Sequence, residues 1–316
     1  MEVDKSTEPS NETQEIAPDG DVILVVGPDK IKLRVHALFL KIASKVFNAM
    51  LGPHFREGQG TSSAFPKEIL MPDDDAETMA FICNIIHHRN DAIPRVLSPQ
   101  KVIKVAIYAD KFDSVVALRH SMSWWLNLKG VYDPADISRL MAAAYMFDNS
   151  KVFEETTRAL VLDYTGSYLS LADDDCVGII PWTAFYVLEA RRSRVRMDLQ
   201  EIILNGKKHR KGACNCDWAS KNNNAYMEAL QGSNLWPPSV FNTAVSHVLE
   251  NLGRLQDPTP LKPDPKCFSI VYAHTELKGK VERDSEANGI KEKAGLCLGC
   301  VRSGNADAPF PCRVKH

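Results

Sequence analysis

The stretch IKLRVHALFL, residues 31–40, changes its hydrophobic period at its midpoint. Through Val35 the apolar residues Ile31, Leu33 and Val35 alternate with Lys32 and Arg34, the two-residue period of a strand with one wetted face. After His36 the alternation stops. Leu38, Phe39, Leu40 and Ile42 crowd into a stretch that reads as a short helix, apolar on most of its circumference and needing cover on more than one side.

Working outward, residues 21–26 and 30–35 flank the Gly27-Pro28-Asp29 turn and predict a hairpin. Ser44 is the expected N-cap of KVFNAML, a helix ending at Gly52. A loop rich in Gly, Ser and Thr follows, and residues 68–71 read as a further strand. The three acids Asp73, Asp74 and Asp75 open a helix carrying Met79, Phe81, Ile82, Ile85 and Ile86, where carboxylates suit the helix dipole. Ser98-Pro99 supplies the cap and first-turn proline of another helix. Asp113 is expected to start one more, through Val116, Leu118 and Trp125. Strands early and helices late predict an α+β fold.

From Asp133-Pro134 the spacing turns helical, through Ile137, Leu140, Met141, Ala144 and Tyr145, then Val152, Phe153, Leu160 and Leu162, with a further helix over 181–196. Beyond 205, NGKKHRKG, NNN, WPP and DPTPLKPDP mark a loop-rich region with helices over 239–252 and 277–293. The expected organisation is a disordered tail over 1–18, an α+β domain over 19–128, a helical region over 129–205 and a loop-rich, helical, Cys-containing region over 206–316.

The 316 residues suit about two domains of ~150 residues each. With 38 basic and 40 acidic residues, the net charge of −2 creates no general field toward nucleic acid or acidic membranes. The first twenty residues are polar and acidic, unlike a signal peptide or a mitochondrial presequence, and the longest aliphatic run, 22–26, falls far short of the ~20 residues of a membrane helix. A cytoplasmic or nuclear protein is expected, its eight cysteines thiols or metal ligands before they are disulfides.

The segments DGDVILVV, KIKLRVHALFLKIASKVFNAML, GPHFREGQ, PDDDAETMAFICNIIHHRND and LSPQKVIKVAIYADKFDSVVALR together resemble the BTB/POZ domain, most closely the fungal BTB protein group, over residues 19–128. GLCLGCVR also looks like part of the carboxy-terminal half of such proteins. The resemblance implies a domain that binds other proteins and pairs with itself. The helix after His36 would meet its own copy across a two-fold axis, with Leu38, Phe39, Leu40 and Ile42 as the dimer interface; cover by later helices of the same chain is the alternative. Phe55-Arg56-Glu57 matches the hydrophobic-x-Glu element that BTB adaptors use against cullin scaffolds, so Phe55 and Glu57 are the cullin-binding candidates, against a plain surface loop. Asp21 matches the acid of the charged pocket in transcription-factor BTB domains, yet Ala37 stands where that family's basic partner follows the histidine. Asp21 and His36 therefore read as structural polar groups hydrogen-bonded within the fold.

Cys214-x-Cys216 and Cys297-x-x-Cys300 are the candidate metal ligands: two thiolate pairs on tight turns can present four sulfurs to zinc, with Cys267, Cys312, His209 and His274 as substitutes. Unligated thiols are the alternative. The runs Arg191-Arg192-x-Arg194-x-Arg196 and Lys207, Lys208, His209, Arg210 and Lys211 read as solvated faces, with a nuclear import signal or a nucleic-acid patch as the alternative for either. No G-x-S-x-G, phosphate-cradling glycine loop or H-E-x-x-H is present, so no enzyme is expected. The expected function is a self-associating protein-interaction module, with substrate adaptor of a cullin-based ubiquitin ligase as its more specific form. The alternative is a nuclear regulator using the basic patch. The expected partners are a second copy and other proteins, including a cullin; neither membrane nor nucleic acid is expected.

Overall fold

The computed structural model describes residues 13–52, 62–171, 178–204, 218–257, 279–304 and 312. The chain divides into two units, one of residues 1–131 and 142–149, the other of 132–141 and 150–316. It is an α+β fold, mostly helical, with one four-stranded sheet and thirteen α-helices among the described residues.

In the first unit the hairpin forms as its alternation predicts. Strand β2 (Val22–Val26) pairs antiparallel with β3 (Ile31–Val35), Leu24 opposite Leu33, and parallel with β4 (Lys67–Met71), Leu24 opposite Ile69. A short β1 (Gln14–Glu15) runs parallel to β3, giving the order β1-β3-β2-β4. Val22, Leu24, Val26, Leu33, Val35, Ile69 and Met71 share one face and are all buried. The opposite face carries Lys32 and Glu68, paired at 2.7 Å.

Helices α1 (Ala37–Ala43), α2 (Lys45–Met50), α3 (Ala76–Ile86), α4 (Pro99–Lys111) and α5 (Val115–Trp125) complete this unit. Two expected caps are made, Ser44 Oγ accepting from Phe47 N and Ser98 Oγ from Lys101 N; Asp75, expected only among the acids of the first turn, is the cap of α3, its Oδ1 accepting from Thr78 N. Buried Ser44 also donates to the Phe112 carbonyl, and the Phe47 and Phe112 rings stack at 4.8 Å. Asp113 departs from expectation. Its φ of +45° ends α4, and Ser114 takes the cap position of α5. Of the expected disordered tail, residues 1–12 lie outside the described residues, while residues 14–17 are ordered, with β1 at Gln14–Glu15 and Ile16 and Ala17 buried. Arg89 Nη1 donates to the Ile16 carbonyl at 3.1 Å, and two apolar anchors beside a paired strand offset the ordering cost that the tail's average composition suggested.

Helix α6 (Pro134–Met146) follows the Asp133 cap, which accepts from Ala135 N and Asp136 N. Helices α7 (Ser150–Asp163), α8 (Trp182–Leu204), α9 (Trp218–Gly232), α10 (Pro237–Asn242), α11 (Val245–Arg254), α12 (Lys280–Glu292) and α13 (Leu298–Arg302) belong to the second unit, with a 3-10 turn at Tyr168–Leu171. The boundary expected at 205 is corrected. Helix α8 runs eight residues past the expected end at 196 and packs on α7 as well as on α10, α11, α12 and α13, so the two regions share one core. The helix expected over 239–252 is broken at Thr243 and Ala244, whose backbones are extended, and NNN lies inside α9 rather than in a loop. No helix among the described residues is long and apolar enough to cross a membrane.

Candidate functional site

Helix α1 splits its apolar residues between two faces. Ala37 and Leu40 point into the core, Leu40 fully buried, while Leu38 is 64% exposed and Ile42 76%. At 100° per residue, Leu38, Ile42 and Phe39 span an arc of about 100° opposite the buried edge, and Val46 of α2 continues it, 40% exposed. Leu40 is therefore corrected: it is fully buried and belongs to the interior, on the side of α1 that also carries buried Ala37, in a helix that packs on α2 and α3. Of the remaining three candidates, Leu38 and Ile42 are mostly exposed, and Phe39 is 38% exposed with its ring against His36, His87 and His88.

The border of this surface is polar and fixed. Asp21 Oδ1 accepts from Ala37 N at 2.8 Å at the start of α1, and His36 Nε2 pairs with Asp19 Oδ1 at 3.1 Å, as structural roles for both require. His87, just past α3, accepts at Nε2 from His36 N at 2.9 Å and donates from Nδ1 to the Cys83 carbonyl at 2.8 Å, which fixes a neutral tautomer. Burial, helped by the nearby charge sites of His36 and His88, lowers its pKa. The Phe39 ring lies 5.2 Å from His87 and 6.3 Å from His88.

In the second unit, the structure places Cys297 and Cys300 beside Cys312, all three sulfurs within 4.8 Å of one another. Cys300 is buried, the other two partly so, and the Cys300 and Cys312 sulfurs stand 3.2 Å apart. Burial and the two neighbouring thiols push the Cys300 thiol up to about 12; a bound cation reverses that preference, since a coordinating thiol gives up its proton. These three cysteines can hold a metal ion. Cys83, buried in α3 and also pushed up to about 12 by burial, is a plain core residue.

The other expected ligands, Cys214 and Cys216, the cullin pair Phe55 and Glu57, and the basic patch Lys207, Lys208, Arg210 and Lys211 lie outside the described residues. Sequence reasoning put Cys312 only among the substitutes, although it is the nearest cysteine after the C-x-x-C pair. The run from Arg191 is corrected from a solvated face. Arg192 is buried, Arg196 donates to the Thr243 carbonyl at 2.9 Å, and only Arg194 stays largely exposed, paired with Asp198. Compared with known proteins, the chain matches no family model and no curated protein.

Proposed function

We propose that this protein is a non-enzymatic interaction module whose first unit, BTB/POZ-like, pairs with a second copy through the outer face of α1. The supporting observation is the apolar arc of Leu38, Phe39 and Ile42, continued by Val46, which stays exposed while Ala37 and Leu40 on the other side of α1 are buried. Apolar residues exposed singly are ordinary; one continuous face on a short helix is not. A two-fold axis makes such a face its own complement, so a second copy covers it without any further partner. The adaptor role toward a cullin rests on the resemblance of Phe55-Arg56-Glu57 alone, as does the competing nuclear role on residues 207–211.

Light scattering of the full chain across concentrations tests the proposal. Burying a whole Ile side chain is worth about 1.5–3 kcal/mol, and Ile42 is 76% exposed and enters a symmetric interface twice. Ile42→Glu therefore weakens pairing by roughly 2–4 kcal/mol, or about 30- to 1,000-fold, with no loss of folded structure. A wild-type chain that stays monomeric at high concentration defeats the proposal, as does a dimer that Ile42→Glu leaves intact.

A further inference from the structure

The turn bearing Cys297 and Cys300 is positioned by contacts that owe nothing to sulfur. Gly295 passes so close to α7 that a Cβ there would stand 2.6 Å from the Glu154 carbonyl oxygen. The next amide, Leu296 N, donates to the buried Thr157 hydroxyl at 2.9 Å, and Leu296 and Leu298 are each 2% exposed. Cys297 then occupies the cap position of α13 without its side chain capping any amide. Cys300 follows one turn later, so the i, i+3 spacing brings both sulfurs to one side. Cys312 meets them from twelve residues beyond Cys300.

Tetrahedral zinc with Zn–S bonds of about 2.3 Å sets its sulfurs roughly 3.8 Å apart. That edge lies inside the observed range, from 3.2 Å for Cys300 and Cys312 to the 4.8 Å limit for the trio. A disulfide needs about 2.05 Å and would use two sulfurs of three. Three thiolates around a divalent cation leave one negative charge, and the Arg191 side chain of α8 reaches the same turn, donating to the Lys293 carbonyl at 3.4 Å.

We propose that Cys297, Cys300 and Cys312 bind one zinc ion per chain, a structural staple that fastens residue 312 to the α7-bound turn at α13. The fourth tetrahedral position goes to a donor from outside the trio. The staple is independent of pairing through α1.

Native mass spectrometry of the full chain, purified reduced with zinc and then desalted, reads the site directly. One zinc per chain is expected for wild type and for Cys83→Ser, and none for Cys297→Ser or Cys312→Ser. A second readout needs no substitution: zinc is expected to slow iodoacetamide labelling of Cys297 and Cys312 in the wild-type chain by about tenfold or more, and a chelator to restore it. A folded wild-type chain that stays metal-free in excess zinc overturns the proposal. So does zinc retained by either serine variant, or labelling of these two thiols at the same rate with and without zinc.

Discussion

Replacing Arg192 by Ala tests whether the basic run on α8 builds the second unit or faces solvent. The Arg192 side chain is 6% exposed, and its Nη1 donates to two main-chain carbonyls, Tyr164 at 2.9 Å and Gly166 at 2.8 Å. Its Nη2 reaches Glu189 at 2.6 Å and its guanidinium lies 4.5 Å from the centre of the Tyr168 ring. Each hydrogen bond to a charged group contributes about 1.5–3 kcal/mol and the ring contact up to ~2 kcal/mol. Against these stand the desolvation of the cation and an Nε without a hydrogen-bond partner among the described residues. The net loss for Arg192→Ala is about 2–4 kcal/mol. Arg192→Lys keeps the charge but not the fork that serves both carbonyls, and falls between. Arg194, 72% exposed and paired with Asp198, costs at most ~0.5–1 kcal/mol when truncated. Urea unfolding followed by far-UV circular dichroism measures all three. Equal, small losses for Arg192→Ala and Arg194→Ala would refute the structural role.

Three further outcomes follow from single contacts. His87 is neutral in the fold and its pKa is lowered, so the unfolded chain takes up its proton first. Stability is full above the ordinary imidazole value of about 6.5 and is lost progressively as pH falls below it, and this part of the fall in urea midpoint between pH 7.5 and 5.5 disappears in His87→Ala. Ser44→Ala removes the α2 cap and the donor to the Phe112 carbonyl together, an expected loss of about 2–4 kcal/mol by the same assay. Gly295→Ala drives a Cβ into the α7 backbone and costs about 1–3 kcal/mol, whereas Gly253→Ala, with open space around its position in α11, is neutral or stabilises by up to ~1 kcal/mol in thermal melts.

The first unit was legible because its signals are local: the period change at His36, the serine caps and the Gly27 turn each need only a few neighbouring residues. What failed there was averaging, since the polar tail concealed Ile16 and Ala17 and Asp113 looked like a cap while serving as a helix stop. The second unit depends on long-range contacts. Arg192 was read as part of a charge run, although Leu188, Val195, Leu199 and Ile202 share its helical stripe and all are buried, a pattern that marked it as an interior position. NNN resembled a loop, but Tyr226 and Leu230 later in α9 anchor that helix, Tyr226 by a 2.9 Å bond to the Ile203 carbonyl. Pairing of Cys312 with the C-x-x-C turn depends on where a separate segment returns, which local spacing does not specify. Leu40 fell on the wrong face because a run of four apolar residues cannot show which of them the interior takes.

Isotope-filtered NMR on an equal mixture of labelled and unlabelled full-length chains asks most directly whether the outer face of α1 meets a second copy. Intermolecular contacts are predicted at the methyl groups of Leu38, Ile42 and Val46 and at the ring of Phe39, and none at Leu40. Spectra in which these groups touch only their own chain, at concentrations where two copies are associated, would contradict the account.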